Sequence, residues 1–261
     1  MANFFGPVLD VDPKNIECFW DGNSKYVDGT TWKSAGHHED VANHPNKANV
    51  EMVGPTYTQL GTTGYWSFNG SNYGYIRNLN YGQGGQHGPN KDGELQEITC
   101  GVWFRTSFGT PNAGGGYDFS NWSWYDWDRS EVIGWNIGAH GKLQFAGRSN
   151  VTCCYDITSD TPCNDGQWHF GAVVVSASGG YMKFYLDGEP DGTRNNSFSY
   201  FGHGTRRYGF VGDGSEAGSE NATRNQFYYE GDISQLFLLS TSWTDAQVKA
   251  HFDKTAFRYG L

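Results

Sequence analysis

The chain has 261 residues, a formal net charge of −10 and a low apolar share of 37%, with aromatic side chains supplying 16%. Because an acidic surface repels phosphate backbones, we expect no nucleic-acid partner. No apolar run approaches the length that a bilayer span requires, and we therefore expect no membrane insertion. The length fits one all-β domain, and 37 glycines beside many rings indicate tight turns between strands.

The first 60 residues are rich in turn-forming residues and show no long strand pattern. The turn signals include Asp21-Gly22-Asn23 and Asp28-Gly29, and a polar run follows at 36–40. We interpret residues 1–60 as an irregular segment that packs on the main domain or docks it to other subunits. Residues 61–261 are interpreted as the main domain. The sequence leaves open whether the first segment is a docking part or completes the main domain.

The start of the chain lacks the basic segment and apolar run of a secretory signal peptide. This indicates either a signal that has been removed or a protein that leaves the cytoplasm by another route, such as a virus particle. Five cysteines are an odd number, which disfavours a complete disulfide framework. We expect buried thiols, and the alternative is a bond from Cys153 or Cys154 to Cys163.

Short alternating patterns beyond residue 60 predict strands. Trp66 and Phe68 alternate ahead of the turn signal Asn69-Gly70. Further strand patterns lie at residues 98–104, 168–175, 181–186 and 233–239. Several short strands separated by turns predict an antiparallel β-sandwich.

One helix is predicted near the C-terminus, at about residues 245–253. Thr244 is placed to cap it, and Gln247 follows three residues later, as in a capping box. Trp243 and Val248 occupy the positions of a hydrophobic staple. The helix is therefore expected to be short and to bury one face.

The order of several motifs resembles the laminin-G-like, concanavalin A-like jelly roll, over roughly residues 60–255. The motifs are Tyr65-Trp66-Ser67-Phe68-Asn69-Gly70, Asp165-Gly166-Gln167-Trp168-His169, Tyr185-Leu186-Asp187-Gly188 and Gly231-Asp232-Ile233. The resemblance implies an all-β, antiparallel β-sandwich of jelly-roll type with one short C-terminal helix. That fold hosts lectins, glycanases, adhesion modules and virion proteins, and it does not by itself specify a function.

Both ends of the chain look like stand-alone laminin-G-like domains of structural proteins in tailed phages, often marine ones. The matching segments are Val8-Leu9-Asp10 and Phe257-Arg258-Tyr259-Gly260-Leu261. The resemblance implies a non-enzymatic virion surface protein, in a capsid decoration or a fibre. Its expected partners are virion proteins, further copies of itself as a homo-oligomer, and glycans bound weakly. The alternatives are an extracellular calcium-dependent lectin or adhesion module and a concanavalin-like glycoside hydrolase.

An aromatic run between residues 117 and 135 supplies the candidate glycan-binding residues. Sugar rings stack on exposed indoles, and we assign this role to Trp122 and Trp124. Asn121 and Asp126 lie among the rings and could take sugar hydroxyls. The alternative is that these rings fill the core of an aromatic-rich sandwich.

Calcium is the one cofactor that the sequence gives grounds to expect, since the resemblance implies a calcium site at a loop rim. The candidate ligands are Asp126, Asp128, Asp213 and Glu216. No contiguous loop among them has a recognised ligand spacing. The alternative is that they are solvated surface carboxylates.

Catalysis has one candidate, the acidic pattern Asp126, Asp128 and Glu131. It resembles the acidic strand of retaining concanavalin-like glycanases, in which a nucleophile and an acid/base lie about 5–5.5 Å apart. Asp126 stands where that pattern has Glu, and its shorter side chain would misplace the nucleophile. We therefore predict no catalytic residues.

Overall fold

The computed structural model describes residues 9–35, 49–81, 96–108, 122–126, 133–137, 141–147, 157–195, 207–214 and 228–261. Several residues singled out above lie outside these ranges, namely Asn121, Asp128, Glu131, Cys153, Cys154 and Glu216. Within the ranges, no helix has the length and apolar character needed to cross a membrane.

Strands dominate the described part of the chain. In chain order they are β1 (Ile16–Asp21), β2 (Val27–Asp28), β3 (Thr31–Trp32), β4 (Val50–Val53), β5 (Thr56–Leu60), β6 (Thr63–Asn69), β7 (Tyr73–Tyr81), β8 (Glu97–Arg105), β9 (Trp122–Asp126), β10 (Ile133–Ile137), β11 (Lys142–Gly147), β12 (Ile157–Pro162), β13 (Trp168–Ser176), β14 (Tyr181–Leu186), β15 (Glu189–Asn195), β16 (Arg207–Val211) and β17 (Glu230–Leu239). The single α-helix of the described ranges, α1 (Asp245–Thr255), follows the last strand.

These strands form two antiparallel sheets. The first has eight strands in the order β15-β14-β13-β8-β17-β6-β5, with β1 also paired to β17. The second has nine strands in the order β12-β11-β10-β9-β16-β7-β4-β3-β2. The predicted antiparallel β-sandwich with one short C-terminal helix is confirmed.

Two apolar layers hold the first sheet in place. On β8, Ile98 and Phe104 face the second sheet and belong to the main core cluster. Trp103 belongs to a separate cluster with Phe237, on the outer face under α1. Because both faces of this sheet are covered, its central strands are buried at nearly every position.

Helix α1 begins where the sequence predicted. Thr244 Oγ1 accepts a hydrogen bond from the Gln247 N–H, and Gln247 Oε1 accepts one from the Thr244 N–H, which completes the capping box. The helix runs two residues further than predicted and continues into a 3₁₀ turn at Ala256–Tyr259. In that turn Tyr259 stacks on Trp103, with ring centroids 4.1 Å apart.

The described part of the segment 1–60 is not irregular. It supplies β1 and β5 to the first sheet and β2, β3 and β4 to the second. β1 is buried at all six positions, and therefore its sequence shows no alternation that could have predicted a strand. These residues complete both layers of the sandwich.

Three described cysteines, Cys18, Cys100 and Cys163, are free and buried, as the sequence predicted for its thiols. The alternative bond to Cys163 is therefore wrong for this structure. Burial raises the pKa of Cys100 to about 12, despite a hydrogen bond from the Tyr125 hydroxyl. These thiols act as small apolar groups in the core.

Two of the signature motifs meet at one histidine. His169 places Nδ1 2.8 Å from Asp187 Oδ2 and Nε2 3.1 Å from Asp165 Oδ1. Asp187 also accepts the Phe170 N–H through Oδ1, at 2.9 Å. Burial alone would lower the pKa of His169, but the hydrogen bonds and charges of Asp187 and Asp165 raise it above the ordinary value of a histidine. The two motifs thus form a hydrogen-bonded ion pair between β13 and the turn after β14, here called the His169 ion pair.

The His169 ion pair should make the free energy of unfolding depend on pH. A histidine whose pKa is raised by folding contributes stability that is complete below its unfolded pKa and is lost as the pH rises through its folded pKa. We expect the free energy of unfolding to fall between pH 6 and pH 8, and His169→Gln to make that fall smaller; the remainder comes from Glu17, whose pKa burial raises to about 8. Urea titrations at the two pH values test this, and an unchanged pH slope in the variant would contradict it.

A buried polar network joins the N-terminal strand to the C-terminus. Asp21 Oδ2 on β1 accepts hydrogen bonds from Arg258 Nη1 at 2.8 Å and from Gln235 Nε2 at 3.0 Å. Gln235 Oε1 lies 2.8 Å from His251 Nε2 on α1. The Asp21 and Arg258 side chains are only 1% and 9% exposed. One carboxylate therefore connects β1, β17, α1 and the final turn.

Removing that carboxylate should destabilise the whole chain. Asp21→Asn leaves the Arg258 charge buried without its partner, which we expect to cost about 3–5 kcal/mol. The control is Asp28→Asn, which breaks the exposed pair with Lys33 and should cost about 0–1 kcal/mol. Chemical denaturation of both variants tests the difference, and equal small losses would contradict the assigned role.

Candidate functional site

The structure places Trp124 in the core and not on the surface. Its side chain is fully buried, with ring centroids 4.6 Å from Phe104 and 5.0 Å from Trp135. The prediction that Trp124 stacks on a sugar is therefore wrong, and the alternative that such rings fill the core holds for it. Trp122 begins β9, but its side chain lies outside the described set, as does Asn121.

The structure describes two of the four calcium candidates, Asp126 and Asp213. Asp126 pairs with Phe210 across β9 and β16, and Asp213 lies in the bend that follows β16. Both carboxylates are buried, and the Gly214 N–H donates to Asp213 Oδ1 at 2.7 Å. Among the described residues, no three His, Cys, Asp or Glu side chains lie together in a way that could hold a metal ion. The calcium site stays a prediction, because Asp128 and Glu216 lie outside the described residues. Asp126, at 1% exposed, is not a surface ligand for sugar hydroxyls.

A polar row crosses the outer face of the first sheet near one end of its strands. Strand register places Trp168 opposite Arg105, Arg105 opposite Asp232, Asp232 opposite Ser67, and Ser67 opposite Thr56. These five residues, here called the Arg105 row, lie on five adjacent strands, β13, β8, β17, β6 and β5. At the usual spacing between strands the row is about 19 Å long.

Asp232 fixes the geometry at the centre of the row. Its Oδ2 accepts hydrogen bonds from Arg105 Nε at 2.8 Å and Nη2 at 2.6 Å. Its Oδ1 accepts one from Ser67 Oγ at 2.6 Å. Burial alone would lower the pKa of Arg105, but Asp232 raises it, and the guanidinium remains charged. The pair is an ordered, permanently polar group.

Two rings flank this guanidinium. Its central carbon lies 5.3 Å from the centroid of Tyr65 and 5.1 Å from that of Trp168, within cation–π range. The two rings meet edge to face at 5.5 Å. An arginine held by a carboxylate and two rings loses little conformational freedom when a ligand binds, because its position is already set.

The row is open to solvent beyond the C-terminal turn. The Arg105 side chain is 37% exposed, while Asp232 is 13% exposed. Arginine has five N–H donors, and only two are used by Asp232. Tyr65 and Ser67 are partly exposed and Thr56 is exposed. The surface therefore offers hydrogen-bond donors and acceptors beside a partly exposed aromatic ring.

Sequence reasoning did not single out this row, although three of its members lie in the family motifs. The signal available was the polar position of each strand, such as Arg105 after the alternating residues 98–104. Arg105 and Asp232 are 127 positions apart, and only the register of β8 with β17 brings them together.

The chain matches the Concanavalin A-like lectin/glucanases superfamily over residues 80–249, which is more than half of its length. The chain belongs to this family. A comparison with curated proteins gives no match.

Several solved structures share the fold of this family member. The binding domain of Paraclostridial Mosquitocidal Protein 1 is 11% identical with a TM-score of 0.60, covering 93% of this chain and 52% of that one. Domain 4 of AbnA, a GH43 extracellular arabinanase from Geobacillus stearothermophilus, in complex with arabinotriose, is 13% identical with a TM-score of 0.57, covering 90% and 97%. The botulinum neurotoxin serotype D/C binding domain is 11% identical with a TM-score of 0.56, covering 93% and 52%.

The chain spans about half the length of the two toxin binding domains and nearly the whole of the arabinanase domain. At these identities the similarity concerns the fold. The sandwich of this chain also includes strands that precede residue 80, where the family match begins.

Proposed function

We propose that this family member is a non-enzymatic carbohydrate-binding module and that the Arg105 row is its contact surface. The observation that carries the proposal is the exposed guanidinium of Arg105, held between two rings and bonded to Asp232. The guanidinium donors that Asp232 leaves unused suit sugar hydroxyl and ring oxygens, and the partly exposed ring of Tyr65 suits the apolar face of a sugar. The length of the row allows contact with several sugar rings of one oligosaccharide.

The comparisons support this proposal at the level of fold. One similar structure is an arabinanase domain in complex with arabinotriose, and two others are named as toxin binding domains. A row that extends across five strands also fits contact with an extended glycan. Of the three acidic residues in the catalytic alternative, only Asp126 lies in the described part of the chain, and it is 1% exposed.

Arg105→Lys should weaken glycan binding while preserving the fold. Lysine keeps the charge but loses the fixed fork of donors, and we expect a loss of about tenfold or more in affinity. Isothermal calorimetry with arabinotriose and a panel of neutral and acidic oligosaccharides measures it. The control is Lys183→Ala, which removes another cation beside a ring, Tyr181, on β14 of the same sheet.

Two results would contradict the proposal. One is equal binding by the wild-type chain and by Arg105→Lys, which would place the site elsewhere. The other is release of reducing ends from a bound polysaccharide, since a binding module turns over nothing.

We propose, further, that the module is displayed in several copies on a virion surface, where many weak contacts give avidity. The support is the resemblance of the two chain ends to phage structural domains. Mass spectrometry of purified particles from the source should detect the chain beside capsid or fibre proteins. Its recovery only as a free extracellular protein would favour the lectin alternative instead.

A further inference from the structure

An antiparallel sheet is vulnerable at its edges, where backbone N–H and C=O groups are free to pair with another chain. The described strands leave four terminal edges, β15 and β5 in the first sheet and β12 and β2 in the second. Natural proteins block such edges with charges, proline, bulges, short strands or covering contacts. The four edges differ in how far they are blocked.

The β15 and β12 edges close against each other. Arg194 Nη2 on β15 donates to Thr158 O at 2.9 Å and to Asp160 Oδ1 at 2.6 Å on β12. Thr161 Oγ1 on β12 donates to Asp191 Oδ1 at 2.6 Å. Each strand also contains a proline and lies beside a register shift. This side of the sandwich is unavailable for strand addition.

The remaining side has one short edge and one open edge. β2 contains two residues, of which Asp28 is ion-paired with Lys33. β1, which pairs with β17 off the main path, is buried throughout. β5 is different, because its five residues, Thr-Tyr-Thr-Gln-Leu, include no charge and no proline. Four of the five are exposed, and Leu60 is 43% exposed.

The backbone of β5 is arranged for pairing. β5 and β6 are joined by the two-residue turn at 61–62, and Leu60 lies opposite Thr63. In such a hairpin the residues flanking the turn form a hydrogen-bonded pair, and every second pair follows them. Tyr57 and Gln59 therefore direct their N–H and C=O groups away from β6, toward solvent.

We propose that β5 is the homodimer interface, with a second copy of the chain as its occupant. Two β5 strands would pair antiparallel about a two-fold axis at Thr58. Tyr57 of each copy would then exchange both backbone hydrogen bonds with Gln59 of the other. Thr58 would face its own counterpart, and Thr56 would face Leu60. The edge is self-complementary, and its lack of charge means that no like charges meet.

This pairing joins two eight-stranded sheets into one continuous sheet. The two-fold axis is perpendicular to the sheet, and both outer faces therefore lie on the same side. Both Arg105 rows would face one direction, with Thr56 of each row at the junction. If the rows bind glycans as proposed above, a dimer would engage a glycan-coated surface with two sites at once.

Disulfide trapping tests the register directly. Thr58→Cys would place two thiols across a non-hydrogen-bonded pair, where Cα atoms lie about 4.5 Å apart. We expect mild oxidation to give a covalent dimer. The matched control is Thr56→Cys on the same exposed strand, because the two introduced thiols would lie about 14 Å apart and should not bond. The wild-type chain reports any bonding by its own cysteines.

A charge variant tests the interface without cross-linking. Thr58→Lys puts two cations opposite each other at the axis and should weaken dimerisation by about tenfold or more, measured by light scattering over a concentration series. Thr193→Lys on the blocked β15 edge is the control and should leave the dimer intact. Circular dichroism and urea titration confirm that both variants fold.

Three outcomes with the purified chain alone would overturn the proposal. They are a wild-type chain that stays monomeric at all concentrations, equal cross-linking by both cysteine variants, and an oligomer unaffected by Thr58→Lys. Capture of a strand from another protein by β5, in place of a second copy, would also overturn it. Light scattering of Arg105→Lys keeps the two proposals apart, because this change lies three strands from β5 and should leave the dimer intact while it weakens glycan binding.

Discussion

The buried carboxylate of Asp21 is the constraint on which the first sheet and its outer layer depend. It accepts hydrogen bonds from Arg258 and Gln235, and Gln235 in turn contacts His251. A charge taken out of water is tolerable only when its partners are all in place. The C-terminal turn, α1 and β1 must therefore be positioned together, although Asp21 and Arg258 lie at opposite ends of the chain.

That constraint also decides which part of the outer face is covered. Fixing the C-terminal turn places Tyr259 on Trp103 and 4.8 Å from the ring of Trp168. The aromatic layer under α1 ends at this point, and Arg105 begins the open part of the face. The candidate binding row lies directly beside the buried layer, where Trp168 contributes to both. Because Trp168 is packed against the buried layer, it can hold the exposed Arg105 in one orientation.

The sequence predicted those elements whose signals are local. The capping box at Thr244 and Gln247 and the alternation of residues 98–104 depend on neighbours within a few positions. It did not predict β1, because a strand buried on both faces has no alternation. Nor did it predict the site, since Arg105 and Asp232 meet only through strand register. Trp124 was misassigned because an aromatic-rich sequence does not say which rings face the core.

The Arg105 row and the open edge of β5 belong to one sheet, and this links recognition to assembly. Thr56 is at once the last residue of the row and part of the edge strand. A strand added there would lengthen the hydrogen-bonded sheet beside Ser67 and Asp232 without covering them, because new strands extend a sheet in its plane. Assembly through an edge therefore leaves the outer face free. Stacking of two outer faces would instead bury both rows. A surface that binds weakly through many copies therefore requires assembly through the edge strand.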